Sequence, residues 1–356
     1  MVHPTGTPVA GEGQAGPARG GPRREPPGKP GRVTDSMRRH GKKLDLAARA
    51  AWLYYVANNT QDEIAIKLNV SRQAAQRLVS LAVTERLIKH RLDHPLADCI
   101  ELAESLRSRF HLTYSDVAPS DPDPKDPFLS LGAWAAACLE TYVSTRAPTV
   151  VALSSGRALR AMVSELPPMN QPQHKIVALQ GHMAVDGRAS HYEVVMFLAD
   201  RINAQAHLLA SPVVARTEME RDFMREQPSF KAVQDLVRQA KVAFVGIGEI
   251  MWNGPLQRDG FYGDTEVAEL LDRGAVGAIL AWAYDRNGQL VKGSINDRVA
   301  GMSISELPAN RTIGVASGLE KIDAILAALR GRLVSGLITD EATARGVLAE
   351  DGKGAG

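Results

Sequence analysis

The segment VAFVGIG, residues 242–248, carries the pattern that decides the fold of most of this chain. Four successive apolar residues lead into two closely spaced glycines, which is typical of a strand that is buried on both faces and ends in a tight loop. Similar apolar segments are TVVAL (149–153), KIVAL (175–179) and AVGAIL (275–280). Amphipathic helix patterns lie at 129–146, 189–205, 230–240 and 317–330. The alternation predicts an α/β fold with a doubly wound, mostly parallel sheet covered by helices on both faces.

The composition of the 356 residues excludes several classes of protein. A hydrophobic fraction of 44% is enough for ordinary buried cores, and the length predicts two or three domains. No run of about 18 apolar residues is present, so we expect no membrane-spanning helix and no membrane partner. The N-terminus has no apolar signal segment, and two cysteines, Cys99 and Cys138, are too few for a disulfide framework or a zinc cluster. We therefore expect a reduced, cytoplasmic protein.

Charge is distributed unevenly along the chain, although the net charge is only +2. Residues 1–36 have five basic and three acidic side chains, residues 37–94 have eleven and five, and residues 95–356 are left with a net charge of −6. A basic module on an acidic body predicts a head that binds a polyanion and a body that binds something else.

Three regions follow from these differences. Residues 1–36 include eight glycines and seven prolines and are predicted to be a disordered tail. Its arginines could touch DNA phosphates, although an inert tail is the simpler interpretation. Residues 37–94 form the predicted head, and residues 95–356 the predicted body.

The head has the layout of a helix-turn-helix. In TQDEIAIKL, Thr60 and Glu63 have the spacing of a capping box at the start of a short helix. Asn69 tolerates the left-handed conformation of a tight turn, and Ser71 can cap a following helix. We predict a helix-turn-helix of winged-helix-like type, with 87–92 as the wing and the second helix in the major groove of DNA.

Side chains around the starts of the two helices are the candidates for DNA contact. Arginine can bind guanine and glutamine can bind adenine through paired hydrogen bonds, whereas a hydroxyl at a helix N-terminus suits a phosphate. The predicted DNA-binding residues are Thr60, Gln61, Ser71, Arg72, Gln73, Gln76 and Arg77. The alternative is a small helical dimerisation module whose polar side chains face only water.

In the body, the ends of predicted strands are the candidates for ligand binding. Ser154, Ser155 and Gly156 open a helix and could bind an anion or a hydroxyl, with an ordinary capped turn as the alternative. Gly246-Ile247-Gly248 permits close approach of a ligand to the backbone. Met251 takes the place of the third glycine of a dinucleotide fingerprint, so we expect no nicotinamide, and we predict no cofactor and no metal.

Further candidates lie at other strand and helix ends. Gln180 and Gly181 follow the strand 175–179, and His182 beside them has no partner that would make it a catalyst. DGFYGD (259–264) is a polar, glycine-rich cluster, and Asp297 could hydrogen-bond a ligand hydroxyl. Lys321 lies in the first turn of a predicted helix, where its charge opposes the helix dipole unless it faces an anion or a ligand oxygen.

The segment TQDEIAIKLNVSRQAAQRLVSLAVTERLIK resembles the N-terminal helix-turn-helix of the SorC/DeoR-type sugar-binding transcriptional regulators. The resemblance extends over nearly all of 60–350 and includes AKVAFVGIG, NDRVAGM and GLITDEATARGVL. It implies a body similar to sugar-phosphate isomerases and deaminases, with an effector pocket at the carboxyl ends of the strands. The effector-binding residues that it implies are Ser154, Ser155, Gly156, Arg157, Gln180, Gly181, Gly246, Ile247, Gly248 and Lys321.

Departures from the family pattern bear on the ligand. The first loop of the family is G-x-G-x-T, but SSGRA has Ala158 where threonine is expected. The usual G-D-I is Gly277-Ala278-Ile279, which lacks the carboxylate. DGF after Trp252 and Asn253 is most similar to the sorbitol/mannitol-operon members. An unphosphorylated sugar or polyol is therefore as good an interpretation as a sugar phosphate.

The leading hypothesis is a DNA-binding regulator of a carbohydrate or polyol catabolic operon, not an enzyme, whose operator binding is controlled by a sugar, polyol or sugar-phosphate effector. Paired half-sites of double-stranded operator DNA require a homo-oligomer, a dimer or a homotetramer, with 96–110 and 129–146 as candidate surfaces. The alternative is an isomerase- or deaminase-like enzyme with a DNA-binding head, although Asp264, Glu266 and His182 show no spacing that ties them together. A purely structural oligomeric scaffold is a third interpretation.

Overall fold

The structure is a computed structural model that describes residues 33–88, 97–120, 128–181, 183 and 193–353. It contains two compact units that meet in the sequence at Val83 and Thr84, and we call them the helical unit and the α/β unit. The predicted tail lies outside the described residues up to position 32.

The helical unit consists of three helices, α1 (Val33–Tyr55), α2 (Gln61–Leu68) and α3 (Arg72–Thr84). The first of them begins four residues before Met37, where order was predicted to start. Small side chains dominate the core and permit close packing of the helices. The buried residues are Ala47, Ala50, Ala51, Ile64, Ala65, Ala75, Leu78, Val79 and Ala82.

Local hydrogen bonds explain where α2 and α3 begin and end. The hydroxyl of Thr60 accepts a hydrogen bond from the N–H of Glu63 at 3.4 Å, and the Glu63 carboxylate accepts one from the N–H of Thr60 at 2.7 Å. The predicted capping box is therefore confirmed, and these hydrogen bonds lower the pKa of Glu63. Asn69 ends α2 with a φ of 51°, and Ser71 Oγ accepts from the N–H of Ala74 at 3.2 Å.

The α/β unit contains ten α-helices, three short 3₁₀-helices and ten strands among its described residues. The helices are α4 (Ala97–Phe110), α5 (Leu129–Val143), α6 (Arg157–Glu165), α7 (Val195–Ile202), α8 (Glu218–Glu226), α9 (Pro228–Arg238), α10 (Pro255–Arg258), α11 (Asp264–Asp272), α12 (Ile322–Arg330) and α13 (Glu341–Lys353). The strands are β1 (Tyr114–Ala118), β2 (Val150–Leu153), β3 (Lys175–Ala178), β4 (Gln205–His207), β5 (Val242–Gly246), β6 (Gly248–Glu249), β7 (Ala275–Ile279), β8 (Trp282–Asp285), β9 (Thr312–Val315) and β10 (Gly336–Asp340).

The larger sheet has seven strands in the order β1-β10-β9-β5-β2-β3-β4, and every neighbouring pair is parallel. Alternate side chains of each strand point to opposite faces. Ala152 therefore packs under α4, α9, α12 and α13, whereas Val151 and Leu153 pack under α5, α6 and α7. This arrangement confirms the prediction of a mostly parallel sheet with helices on both faces.

One predicted strand of that sheet lies elsewhere. The segment 275–280 contributes β7 to a separate three-stranded sheet, β6-β7-β8, whose pairs are antiparallel. Leu280 and Ala281 have φ values of 54° and 66° and form a two-residue connection between Ile279 and its partner Trp282. A connection with two positive φ values is the turn that closes a tight hairpin, so the chain reverses instead of crossing over through a helix.

Candidate functional site

A cavity of about 120 Å³ lies at the carboxyl ends of four neighbouring strands, β9, β5, β2 and β3. From β2 the chain continues outward to β3 and β4, and from β5 it continues in the opposite direction to β9 and β10. The strand order therefore reverses between β5 and β2. The connections leaving these two strands diverge, and ligands of open α/β sheets bind in the crevice that this divergence creates. The sheet topology therefore positions this cavity.

Hydrogen bonds between strands orient the loop that follows β2. The hydroxyl of Ser154 accepts from the N–H of Gly246 at 3.0 Å and donates to the carbonyl of Ser155 at 3.3 Å. Gly156 has a φ of +142°, which L side chains rarely adopt, and it immediately precedes α6. Because Gly156, Arg157 and Ala158 line the cavity, the first N–H groups of α6 are available to a ligand oxygen.

The loop after β3 adds one side chain to the cavity wall. Gln180 Nε2 donates a hydrogen bond to Ser155 Oγ at 2.7 Å. This bond leaves the hydroxyl hydrogen of Ser155 as a donor and the amide oxygen of Gln180 as an acceptor. The two side chains together offer a ligand hydroxyl one hydrogen-bond donor and one acceptor.

A buried ion pair forms the floor of the site. Lys321 lines the cavity but is only 7% exposed, and its Nζ lies 3.9 Å from Oε2 of Glu249, which is 8% exposed. Burial lowers the pKa of Lys321, the charge of Glu249 opposes this effect, and Arg157 adds to it. Charged groups in a direct hydrogen bond are about 2.7–2.9 Å apart, so this pair is too wide for one. Within the described chain, Oε2 of Glu249 accepts no hydrogen bond.

A second wall of the cavity was missed by the sequence analysis. It comes from α10, the segment after it and the hairpin of β7 and β8. Its residues are Pro255, Leu256, Asp259, Phe261, Ala278, Leu280 and Ala281. The motif DGFYGD was noted as a polar, glycine-rich cluster, but no feature of it indicated that Asp259 lies at the same cavity as the ends of β2 and β3, which are more than 80 positions away.

Nine of the predicted effector residues line the cavity, and two do not. The nine are Ser154, Ser155, Gly156, Arg157, Gln180, Gly246, Ile247, Gly248 and Lys321. Gly181 instead packs against the backbone of Ser211 and Pro212, so closely that a Cβ would collide with it. The backbone carbonyl of Asp297 accepts a hydrogen bond from Arg221, and Asp297 is not on the cavity wall.

The helical unit presents the other set of predicted site residues. Ser71, Arg72, Gln73, Gln76 and Arg77 are all exposed along the first turns of α3. Arg72 makes a surface ion pair with Asp62 at 3.5 Å, and Arg77 donates to the carbonyl of Gln73 at 3.3 Å. Thr60 is exposed and Gln61 partly so at the start of α2. All of these polar groups therefore remain accessible to a partner.

Other predictions fall outside these two groups. His182 and positions 89–92 of the predicted wing lie outside the described residues. No cluster of three or more His, Cys, Asp or Glu side chains suited to a metal ion occurs in the described part of the chain. None of the described helices is both long and apolar enough to cross a membrane.

Comparison with known proteins identifies the relatives of this chain. The family described as "Putative sugar-binding domain" matches residues 94–349. The erythritol catabolism regulatory protein EryD of Brucella abortus (strain 2308) is 30% identical over 305 residues, covering 86% of this chain and 96% of that protein. The sorbitol operon regulator of Klebsiella pneumoniae is 29% identical, covering 85% of this chain and 96% of that protein.

A solved structure supports the same relationship. The full-length sorbitol operon regulator SorC of Klebsiella pneumoniae superposes with a TM-score of 0.67 at 28% identity, covering 86% of this chain and 98% of that one. These relatives are named as regulators and not as enzymes. Since the sugar-binding family spans more than two thirds of the chain and the relatives match over nearly their whole length, the chain belongs to the SorC-type family of sugar-binding transcriptional regulators.

Proposed function

We propose that this chain regulates transcription of a carbohydrate or polyol catabolic operon and that a small polyhydroxylated effector, bound in the cavity of the α/β unit, controls its affinity for operator DNA. The observation that carries the proposal is the cavity itself, where polar groups from four strand ends converge at the topological switch point. The names of two relatives, for erythritol catabolism and a sorbitol operon, support the class of effector.

For DNA binding, we propose that residues 37–94 are the domain involved and that α2 and α3 act as a helix-turn-helix. The capping box fixes the start of α2, and the left-handed Asn69 turns the chain into α3. The exposed side chains of Arg72 and Gln76 then lie near the start of the second helix, which is the part that reads base edges in such units. Ser71 and the N-terminus of α3 suit a phosphate.

For effector binding, we propose the nine predicted residues that line the cavity. Ser155 and Gln180 would hold one hydroxyl, and Lys321 would donate to another oxygen of the ligand. Ser154 acts indirectly, because its hydroxyl is used in holding Gly246 against the loop after β2. Gly181 contributes through its close approach to the backbone of Ser211 and Pro212.

We further propose that the regulator acts in the cytoplasm as a homo-oligomer, either a dimer or a tetramer. A single helix-turn-helix makes few base contacts, and symmetric half-sites require paired ones. The exposed apolar side chains of Ile100 on α4 and Leu129 on α5, which are 68% and 55% exposed, mark the candidate association surfaces. An effector that favours one arrangement of subunits would change operator affinity, and DNA would change effector affinity by the same factor.

The test uses the full-length protein and DNA that it selects from a random-sequence pool. Sugars, polyols and their monophosphates are screened for a change in the melting temperature and then for a change in operator affinity by gel shift. We expect one class of compound to alter both. Failure to select any DNA sequence would contradict the proposal.

The alternative of an enzyme is tested on the same samples. Turnover of a sugar phosphate that is abolished by Asp264→Asn or Glu266→Gln would favour an isomerase or deaminase. We expect no turnover of any compound in the screen.

A further inference from the structure

The charged groups of the cavity are balanced between the two signs. Among the described lining residues, Lys321 and Arg157 are cations and Asp259 is an anion. Lys321 is already neutralised by Glu249, whose Oε2 lies 3.9 Å from its Nζ. The guanidinium of Arg157 lies 5.4 Å from the centre of the Phe128 ring. The charged side chains at the cavity therefore carry no net positive charge, and the N-terminus of α6 is the feature that remains to attract a phosphate dianion.

Of the three charged residues that line the cavity, Asp259 is the one that was not among the predicted effector-binding residues. Its backbone N–H donates to the carbonyl of Pro255 at 2.9 Å, so the short helix α10 holds it in place. Its carboxylate makes no hydrogen bond or ion pair within the described chain, and the apolar residues Leu256 and Phe261 line the same cavity. A carboxylate in such surroundings repels an anion and accepts hydrogen bonds from hydroxyls.

The remaining polar groups mix donors with acceptors. The hydroxyl of Ser155 and the ammonium of Lys321 donate, whereas the amide oxygen of Gln180 and the carboxylate of Asp259 accept. A ligand hydroxyl both donates and accepts, but a phosphate dianion only accepts. Alternating donors and acceptors therefore suit adjacent hydroxyls of a ligand. The oxygens of a phosphate, which only accept, would face an acceptor of the cavity.

The volume of the cavity limits the size of the ligand. At about 120 Å³ it is well below the roughly 300–1,000 Å³ of cavities that hold drug-sized ligands. A short polyol or a single sugar ring is of the appropriate size.

We infer that this cavity selects an uncharged polyol or sugar against its phosphate ester and that Asp259 is the residue that determines this selectivity. The inference rests on the proposed function, since it specifies the ligand of the same cavity. Asp259 would accept hydrogen bonds from ligand hydroxyls and exclude the phosphoryl group by charge. Glu249 contributes by cancelling the charge of Lys321, which would otherwise attract that group.

The experiment measures ligand affinity by isothermal titration calorimetry on the full-length protein. The probes are erythritol, sorbitol, erythritol 4-phosphate and sorbitol 6-phosphate, and any other compound found by the screen is compared with its own phosphate ester. Three proteins are used: the wild type, Asp259→Asn, and Asp272→Asn as the matched control. Asp272 is an exposed carboxylate of α11 that does not line the cavity.

We expect the wild type and the Asp272→Asn control to bind a polyol about tenfold or more tightly than its ester. In Asp259→Asn this ratio should fall by about tenfold or more, because the variant keeps the shape of the side chain but loses its charge. The melting temperature of each variant shows whether it is folded. Glu249→Gln removes the negative charge that balances Lys321. This variant should independently shift the ratio of the two affinities toward the ester.

Two results would overturn the inference while leaving the proposed function intact. One is tighter binding of the ester than of the polyol by the wild type. The other is an unchanged ratio in Asp259→Asn. If no compound in the screen binds or alters operator affinity, the proposed function fails and the inference fails with it.

Discussion

The helical unit and the α/β unit hold their functional side chains in opposite surroundings. In the helical unit, the side chain of Arg72 is 68% exposed and its ion pair with Asp62 faces water. In the α/β unit, the side chains of Lys321 and Glu249 are each 9% exposed. Exposed groups can change without much effect on folding, whereas buried charges contribute to both the site and the stability of the fold.

The two units also differ in how their sites are assembled. The predicted DNA-binding residues come from 18 consecutive positions, 60–77, and their arrangement depends on two neighbouring helices, α2 and α3, and their caps. The cavity combines residues from Ser154 to Lys321, which only the sheet topology brings together. Mutations should therefore separate stability from function in the first unit and couple them in the second.

The largest effect is expected for Lys321→Met. The substitution leaves the carboxylate of Glu249 buried without its counter-charge, and breaking a buried ion pair costs about 3–5 kcal/mol. The free energy of unfolding in urea should fall by about this amount. The double variant Lys321→Met/Glu249→Gln should recover most of the loss, because no unpaired charge remains. Equal stabilities of the wild type and the single variant would mean that the pair contributes nothing to folding.

A smaller effect, on function alone, is expected for Arg72→Ala. A good paired hydrogen bond from arginine to guanine contributes about 1–3 kcal/mol of discrimination, so operator affinity should fall by about 10-fold to 100-fold. The free energy of unfolding should change by no more than about 0.5 kcal/mol, and effector binding should be unaffected. Arg146→Ala removes an exposed arginine of the α/β unit and is the matched control. Unchanged operator affinity would remove α3 from the DNA interface.

Local features of the helical unit could be predicted from the sequence because short-range rules determine them. The capping box of Thr60 and Glu63, the left-handed Asn69 and the buried stripe of α3 all depend on neighbours within a few positions. The same holds for Gly156 at the start of α6, whose positive φ fits the glycine in SSG. Of the nine cavity residues, seven were predicted at strand ends, Lys321 was predicted at the start of a helix, and Arg157 was predicted from the family resemblance.

Features that depend on distant contacts could not be predicted. Leu280 and Ala281 form the hairpin turn of β7 and β8 although neither is a residue that favours positive φ, so no local signal marked the reversal. In the larger sheet, the strands β1, β4, β9 and β10 were not predicted, because the two edge strands are partly exposed and the apolar runs of TIGV and GLITD are interrupted by glycine, threonine or aspartate. Asp259 lines the cavity because α10, which packs on β6, lies at the carboxyl ends of the strands that line the cavity.

Two helix caps offer a direct comparison of the units. Thr60 caps α2, and Thr217 caps α8 by accepting a hydrogen bond from the N–H of Glu220 at 3.1 Å. Replacement of either threonine by alanine should cost about 1 kcal/mol of local stability. Amide hydrogen exchange should accelerate in α2 for Thr60→Ala and in α8 for Thr217→Ala, and only the first should weaken operator binding. Faster exchange in both helices for either variant would show that the units do not open independently.

The smallest effect concerns pH and distinguishes the buried lysine from exposed ones. Burial lowers the pKa of Lys321 below its usual 10.5, so the folded state releases this proton at a lower pH than the unfolded state does. Between the two pKa values the unfolded state holds more protons, and the free energy of unfolding therefore rises with pH in this window. The stability of the wild type relative to Lys321→Met should accordingly increase as the pH approaches 10.5.

Lys67→Met, which removes an exposed lysine of α2, is the matched control. Urea unfolding at a series of pH values from 8 upward measures the difference, and a wild-type advantage that shrinks with pH would mean that the Glu249 charge outweighs the burial of Lys321.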